Sequence, residues 1–300
     1  MAFPVNGYVT LAASPSKWYH CNVYKFTQFS EQYPSMKFFR YRADILPTIL
    51  IVIHFCLDVL VFFTVENRLL VVLWMVLGLA PKVCICSWNH HHQHLNTFRQ
   101  VWANRMLEIV YGFHTGISTN AWVLHHVLGH HLNYLDQTKD ESGWMRKDGT
   151  KMGEIEYTLT IAITGYLRAY KVGKKHPKYQ RSFVTMGVIV FLLLCVLAYI
   201  NWYNALIIFA IPMVHGLIAT SWHTYFHHAG LHTDDHFDAS YNIMHRGYNI
   251  LTGNLGYHTA HHYKQGVHWS QLPELHRQIE DKIPKHLYRE PSFPFSWFPA

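Results

Sequence analysis

The chain has 300 residues, of which half are hydrophobic, 16% are aromatic and only 14% are charged. That balance excludes an intrinsically disordered chain and gives no sign of a collagen-like or disulfide-rich fold. The net charge of +7 raises nucleic-acid binding, but no Lys/Arg-rich run exceeds a few residues, so no nucleic-acid partner is expected.

A mean hydropathy of zero suggests an ordinary soluble enzyme, yet the average hides a split. Long charge-free apolar runs alternate with polar stretches that hold almost all of the 25 histidines. Residues 1–44 lack the basic start and sustained apolar core of a signal peptide, so the mature chain is expected to begin near Met1. The aromatics of this segment (Trp18, Tyr19, Tyr24, Phe26, Phe29, Phe38, Phe39, Tyr41) suit a membrane interface.

Residues 45–300 read as a single membrane domain, all α-helical, with four runs that approach the roughly 20 apolar residues needed to cross a bilayer. They cover about 45–63, 69–88, 183–200 and 202–222. Only Thr64 to Arg68 separates the first two and only Asn201 to Asn204 the last two, so they pair as hairpins. Tyr157 to Tyr170 is apolar but short and ends beside Arg168, which fits an interfacial or re-entrant helix. The five cysteines (Cys21, Cys56, Cys84, Cys86, Cys195) are odd in number and partly sit in apolar runs, which suits a reducing compartment. Cys84 and Cys86 read as small residues of a hydrophobic helix rather than as a metal pair.

Charge sets the expected orientation. Five Lys/Arg precede the first span, twelve lie between the second and third, and six follow the fourth. The short turns hold only Arg68, and Lys82 falls near the end of the second span. By the positive-inside rule both termini and the large middle loop are cytoplasmic.

The histidines follow that topology. His90 and His94 lie just past the second span, and His126, His130 and His131 lie in the middle loop. His223, His227 and His228 follow the fourth span, and His258, His261 and His262 come later. Spacings of four put two imidazoles one turn apart on a helix face, where they can chelate one ion. Four such clusters exceed what one four-coordinate zinc can use, whereas a pair of metals with six-coordinate tendencies can use about nine ligands. Inside the spans, His54 and Asp58 are one turn apart, and His215 is isolated. Ionisable groups there are costly, so these three are candidates for a substrate channel or for holding helices together.

The pattern HxxxH, HxxxHH, HxxHH, present as His90–His94, His126–His131 and His258–His262, resembles the integral-membrane fatty acid desaturase and hydroxylase superfamily. The stretch Gly256 to His262 (GYHTAHH), followed by His268 to Pro273 (HWSQLP), is similar to the bacterial fatty acid desaturase-like branch, which includes membrane fatty acid decarboxylases. The resemblance runs from about Ile45 to Leu275. It implies a cytoplasmic cap holding two iron ions, with O2 as co-substrate, above the transmembrane helices. Nine ligands are implied: His90, His94, His126, His130, His131, His228, His258, His261 and His262. His91, His92, His125, His223 and His227 are next in line, as groups behind the ligands or as alternative ligands. Asp136, Asp140, Asn249 and Asn254 are candidates to orient ligand rings, each with a solvated loop or cap role as its alternative. His20, His114, His176, His276 and His286 read as ordinary.

The implied reaction is O2-dependent oxidation of an unactivated C–H bond in a fatty acyl chain, with desaturation favoured. Oxidative decarboxylation of a free fatty acid to a terminal alkene, hydroxylation and acetylenation are the alternatives. Free acid, CoA, acyl carrier protein and lipid are the alternative carriers of the acyl group. Neither a dinucleotide motif nor an iron–sulfur cysteine pattern stands in the sequence. A separate donor such as ferredoxin, rubredoxin or cytochrome b5 is therefore expected. The implied location is a membrane of the bacterial inner type. A divalent-metal transporter is the distant alternative, because transport requires ligands spaced through the membrane.

Overall fold

The computed structural model describes residues 37–292 and 295–297. Trp18, Tyr19, His20, Cys21, Tyr24, Phe26 and Phe29 lie outside the described residues. Among those described, regular structure is helical, with only isolated bridges such as Phe39 to Phe98 in extended conformation.

Helix α1 (Ile45–Thr64) and helix α2 (Arg68–His94) are joined by three residues, as the short turn predicts. The turn is set by Asn67, whose side-chain oxygen accepts the N–H groups of Leu69 and Leu70 and caps α2. On α1, Leu46, Leu50, Ile53, Leu57 and Leu60 face outward, at steps of three or four. Thr48, Ile51, Asp58 and Phe62 face inward. An outward leucine stripe is costly in water and natural against lipid.

Helix α3 (Val101–Thr115) precedes a π-helical segment, Val123–His131, and then comes α4 (Glu154–Gly173). Helix α4 contains the expected 157–170 segment and extends it at both ends. Its outward face carries Ile155, Leu159, Ile163 and Leu167, and its inward face carries Tyr157, Ile161 and Ala169.

Helix α5 (Pro177–Ala205), a π turn (Leu206–Ala210) and α6 (Ile211–His228) follow without an intervening loop. The chain nevertheless breaks at Asn201, whose backbone is extended (φ −152°, ψ 91°). Gly187 faces Ser118, while Gly216 lies so close to Thr115 that an added Cβ would sit 2.5 Å from its carbonyl oxygen. An unbroken helix would hold these two glycines about 43 Å apart. The chain therefore folds back at Asn201, where the sequence predicts a turn. Asn201 Oδ1 accepts the N–H of Asn204, and the Asn204 side chain donates to Phe62 O and Val65 O. The two reversals are thus tied together at one end of the bundle.

Among the described residues, three stretches are long and apolar enough to cross a membrane: Arg42–Thr64, Arg68–His94 and the broken Pro177–His228. Two of them outrun their expected ends. Helix α2 continues past Trp88 to His94, and α6 past Trp222 to His228, because neither glycine nor proline interrupts those stretches. Helix α2 is 27 residues long, so about 40 Å separate its capped start from its histidine-bearing end.

Close packing at the centre depends on Gly116 and Gly216. Gly116 ends α3 in the left-handed region (φ 70°), and a Cβ there would lie 2.3 Å from Met213 O. Only glycine lets α3 and α6 touch at this point. Short helices α7 (Arg246–Thr252), α8 (His258–Tyr263) and α9 (Leu272–Arg277) complete the histidine-bearing end.

Candidate metal centre

Four elements deliver histidines to one place: the end of α2, the π segment, the end of α6, and α8. His90, His94, His126, His131 and His261 bring their ring nitrogens within 4.8 Å of one another. His130, His228 and His262 form a second group by the same measure. His258 joins the second group, with its Nε2 3.0 Å from Nε2 of His228. The groups adjoin, since the rings of His131 and His262 stack at 4.1 Å. All nine residues named from the sequence are gathered here.

The π segment explains how one short motif feeds two groups. In a π-helix the repeat is longer than in an α-helix, so residues five apart share a face as well as residues four apart. His126 and His131 bring their Nε2 atoms to 2.9 Å, and His131 Nε2 lies 3.0 Å from His261 Nε2. His130, between them in sequence, turns to the other group, with Nε2 3.3 Å from His228 Nε2.

The donor set fits metal. Imidazole nitrogens about 2.1 Å from a first-row ion are at most about 4.2 Å apart across it, comparable to the spread here. His90 Nε2, His94 Nε2 and His262 Nε2 are buried without a hydrogen-bond partner. Orphaned buried polar atoms are unfavourable unless something else meets them. Burial, followed by the neighbouring imidazoles, holds His126, His131, His258, His261 and His262 well below the ordinary histidine range. Neutral rings keep the lone pairs that a metal requires.

Neighbouring groups fix the rings. His130 Nδ1 donates to Asp140 Oδ1 at 2.8 Å, and Asp140 also accepts the Ser142 N–H. His228 Nδ1 donates to Ala239 O at 3.1 Å, leaving Nε2 for the second group. His227 is different: Nδ1 donates to Tyr241 O, and Nε2 accepts from the Tyr248 hydroxyl. Both its nitrogens are used, and its ring stacks on His258 at 4.0 Å.

The remaining candidates divide by position. His91 stacks on His90 and donates from Nε2 to Thr252 O. His92 donates from Nε2 to Glu108 and accepts the Thr97 hydroxyl at Nδ1. His125 is half-buried, with its Nε2 buried and lacking a hydrogen-bond partner; desolvation and nearby Arg168 push its pKa down to about 3. His223 donates from Nδ1 to Ala219 O beside a cavity between α2 and α6.

Asp136 lies at the surface, bound to Thr138 and Lys139, and does not approach the cluster. Asn249 binds the backbone of Ile243, His245 and Gly256, and Asn254 binds Trp269 O; both shape the approach to α8 rather than a ring.

His54 and Asp58 belong to a buried knot that holds three helices. Asp58 is 2.9 Å from Lys82 Nζ, accepts the Trp74 indole N–H, and lies 3.8 Å from His54 and 3.6 Å from His114. Lys82 also donates to Ile208 O in the π turn. His114, an ordinary residue by sequence, is wholly buried in this knot. His215, half-buried on α6, is not part of it; its Nδ1 has no hydrogen-bond partner.

Several supports escape sequence reasoning. Asn89 and Gln93 tie the end of α2 to the segment 115–122 through Thr115, Ile117, Ser118 and Trp122. Glu108 accepts from His92, Arg105 and Thr119. Its burial favours the protonated acid, but these bonds hold its pKa below the usual value. Asp44 accepts from His268 and Trp269. Asn89 and Gln93 carry a faint sequence signal, an amide pair one turn apart that brackets His90 to His92.

Among the described residues, three long apolar helical stretches and a nitrogen-lined double site are those of an integral membrane protein with a cluster able to bind metal. The chain belongs to the fatty acid desaturase family, whose model matches residues 66–294 and so takes in every histidine of the cluster. Neither a curated protein nor a solved structure matches the chain.

Proposed function

We propose that the protein is a membrane di-iron oxidase that desaturates a fatty acyl chain. The carrying observation is the pair of adjoining imidazole groups with unpartnered buried nitrogens inside the family-matched region. His90, His94, His126, His131 and His261 would hold one iron, and His130, His228, His258 and His262 the other. When bound, the iron pair supplies O2 activation and an oxidant strong enough for an unactivated C–H bond. The overall balance is one acyl CH2–CH2 unit, O2, two electrons and two protons giving one alkene and two waters.

The chain's own residues select and orient. The cavity between α2 and α6, lined by Val83, Cys86, Ser87, Trp122 and Thr220, reaches His90, His126, His228 and His258. An acyl chain seated there brings its carbon to the cluster with little water. We take α1, α2 and the two arms of the stretch broken at Asn201 as four spans, of which α2 and α6 line the cavity. The cluster lies at the end opposite the Asn67 and Asn201 turns. The charge bias supports the reading that this end, with both termini, is cytoplasmic. Clustering at one end supports an enzyme over a transporter. Electrons come from a separate carrier of the ferredoxin, rubredoxin or cytochrome b5 kind. Exposed Lys171, Lys174, Lys175 and Arg181 suit an anionic head group.

The test is expression with saturated acyl substrates and a reductase system, followed by mass spectrometry of the products. An alkene of unchanged chain length is expected. An alcohol, an alkyne or a chain-shortened terminal alkene would replace desaturation with the corresponding reaction. No oxidised acyl product from an iron-loaded, reducible protein would contradict the proposal.

A further inference from the structure

Tyr134 follows the π segment and is the one phenol packed on the second histidine group among the ring contacts of the described residues. It is only 7% exposed. Its ring centre lies 4.4 Å from that of His262, 6.1 Å from His130 and 6.5 Å from His228. Its hydroxyl donates to Nδ1 of His236 at 2.5 Å. His236 is exposed, on the segment after α6, with exposed Asp234 and Asp235 beside it. A single side chain therefore spans from the cluster to a solvated base.

We propose that Tyr134 and His236 form an outlet for oxidising equivalents, used when the metal centre has been oxidised by O2 without an acyl chain in place. The inference rests on the reading of the cluster as a two-metal, O2-activating site. In the step, Tyr134 passes one electron to the oxidised centre and its phenolic proton to His236 Nδ1. The O–H bond breaks, a new N–H bond forms, and a neutral tyrosyl radical remains. The centre is reduced by one electron. The radical is later quenched by one electron from the external carrier together with the proton returned by His236.

The geometry favours this direction. Loss of an electron alone would leave a phenol cation in a dry site, which is costly. The existing hydrogen bond lets the proton leave at the same time, and the resulting imidazolium sits in water near two carboxylates. A phenol yields an electron only to a strong oxidant and accepts one poorly, so the route stays closed to the reducing electrons that prime the centre.

Iron-loaded full-length protein, chemically reduced and mixed with O2 in the absence of acyl substrate, is freeze-quenched for electron paramagnetic resonance. The wild type is expected to give a tyrosyl signal that changes when ring-deuterated tyrosine is incorporated. Tyr134→Phe should lose the signal while keeping its iron, and should inactivate several-fold faster per O2 consumed. His236→Ala, a surface change, should lower the signal several-fold. An unchanged signal in Tyr134→Phe, or no tyrosyl signal in a wild type that consumes O2, overturns the outlet but leaves the proposed function standing. A chain that takes up no iron overturns both.

Discussion

Nδ1 of His130 lies 2.8 Å from Oδ1 of Asp140, and both side chains are almost wholly buried. The bond fixes which ring nitrogen carries the proton and turns Nε2 toward His228. Carboxylates in this position typically raise ligand basicity and hold the ring in place. Asp140→Asn should therefore leave the fold intact and weaken iron binding by roughly 10–100-fold. Chelator competition on the purified protein measures this; wild-type affinity in the variant would remove Asp140 from that role.

The neighbouring pair His227 and His228 gives a sharper contrast. His228 offers a nitrogen to the second group, whereas both nitrogens of His227 are already bonded. His228→Ala should cost the protein much of its iron and all of its activity. His227→Gln should retain iron, with a loss of thermal stability from the broken bonds to Tyr241 and Tyr248. Iron loss from His227→Gln at wild-type stability would reverse the assignment.

The Asp58–Lys82 pair is buried in an apolar bundle, so removing one partner strands the other. Lys82→Met should destabilise the protein by about 3–5 kcal/mol, while the double variant Asp58→Asn/Lys82→Met should recover much of that loss. Thermal unfolding in detergent is the readout. Equal stability of Lys82→Met and wild type would show that Asp58 finds full compensation in Trp74, His54 and His114.

Acid should loosen the histidine-bearing end before it affects carboxylates. His125 is held at about 3 against 6.5 for a free histidine, and burial holds His126, His131, His258, His261 and His262 low as well. Below about 6.5 the unfolded chain takes up protons that the folded chain refuses, so stability is full above that pH and falls as the pH drops. Each such group contributes up to about 1.4 kcal/mol per pH unit within the window. The melting temperature of metal-free protein should therefore fall steeply from pH 7 to pH 5.5. A flat profile there would mean that the rings are already protonated in the folded state.

Much of the site is legible in the sequence because a metal-binding pattern is local. A spacing of four residues places imidazoles together on one face of a helix, and the paired apolar runs announce their own turns. The parts that are not legible depend on non-local geometry. The π repeat sends His130 and His131 to different groups, which the α-helical spacing of His126 and His130 does not indicate. Asp140 and Asp136 look equivalent in sequence, but the turn after the π segment buries one and leaves the other in water. His54 and Asp58 stand out as an i, i+4 pair, yet their partners Lys82 and His114 come from other helices. Helices α2 and α6 outrun the apolar signal because their polar ends are buried by the cluster they carry.

Two adjoining histidine groups holding an iron pair are the basis of the proposed chemistry. Metal analysis of the purified full-length chain by mass spectrometry tests this most directly. Two irons per chain are expected, one for each group. Alanine variants of His131 and His262 should lose iron while remaining in the membrane. Zinc alone, a single metal per chain, or full iron content in both variants would contradict the iron pair.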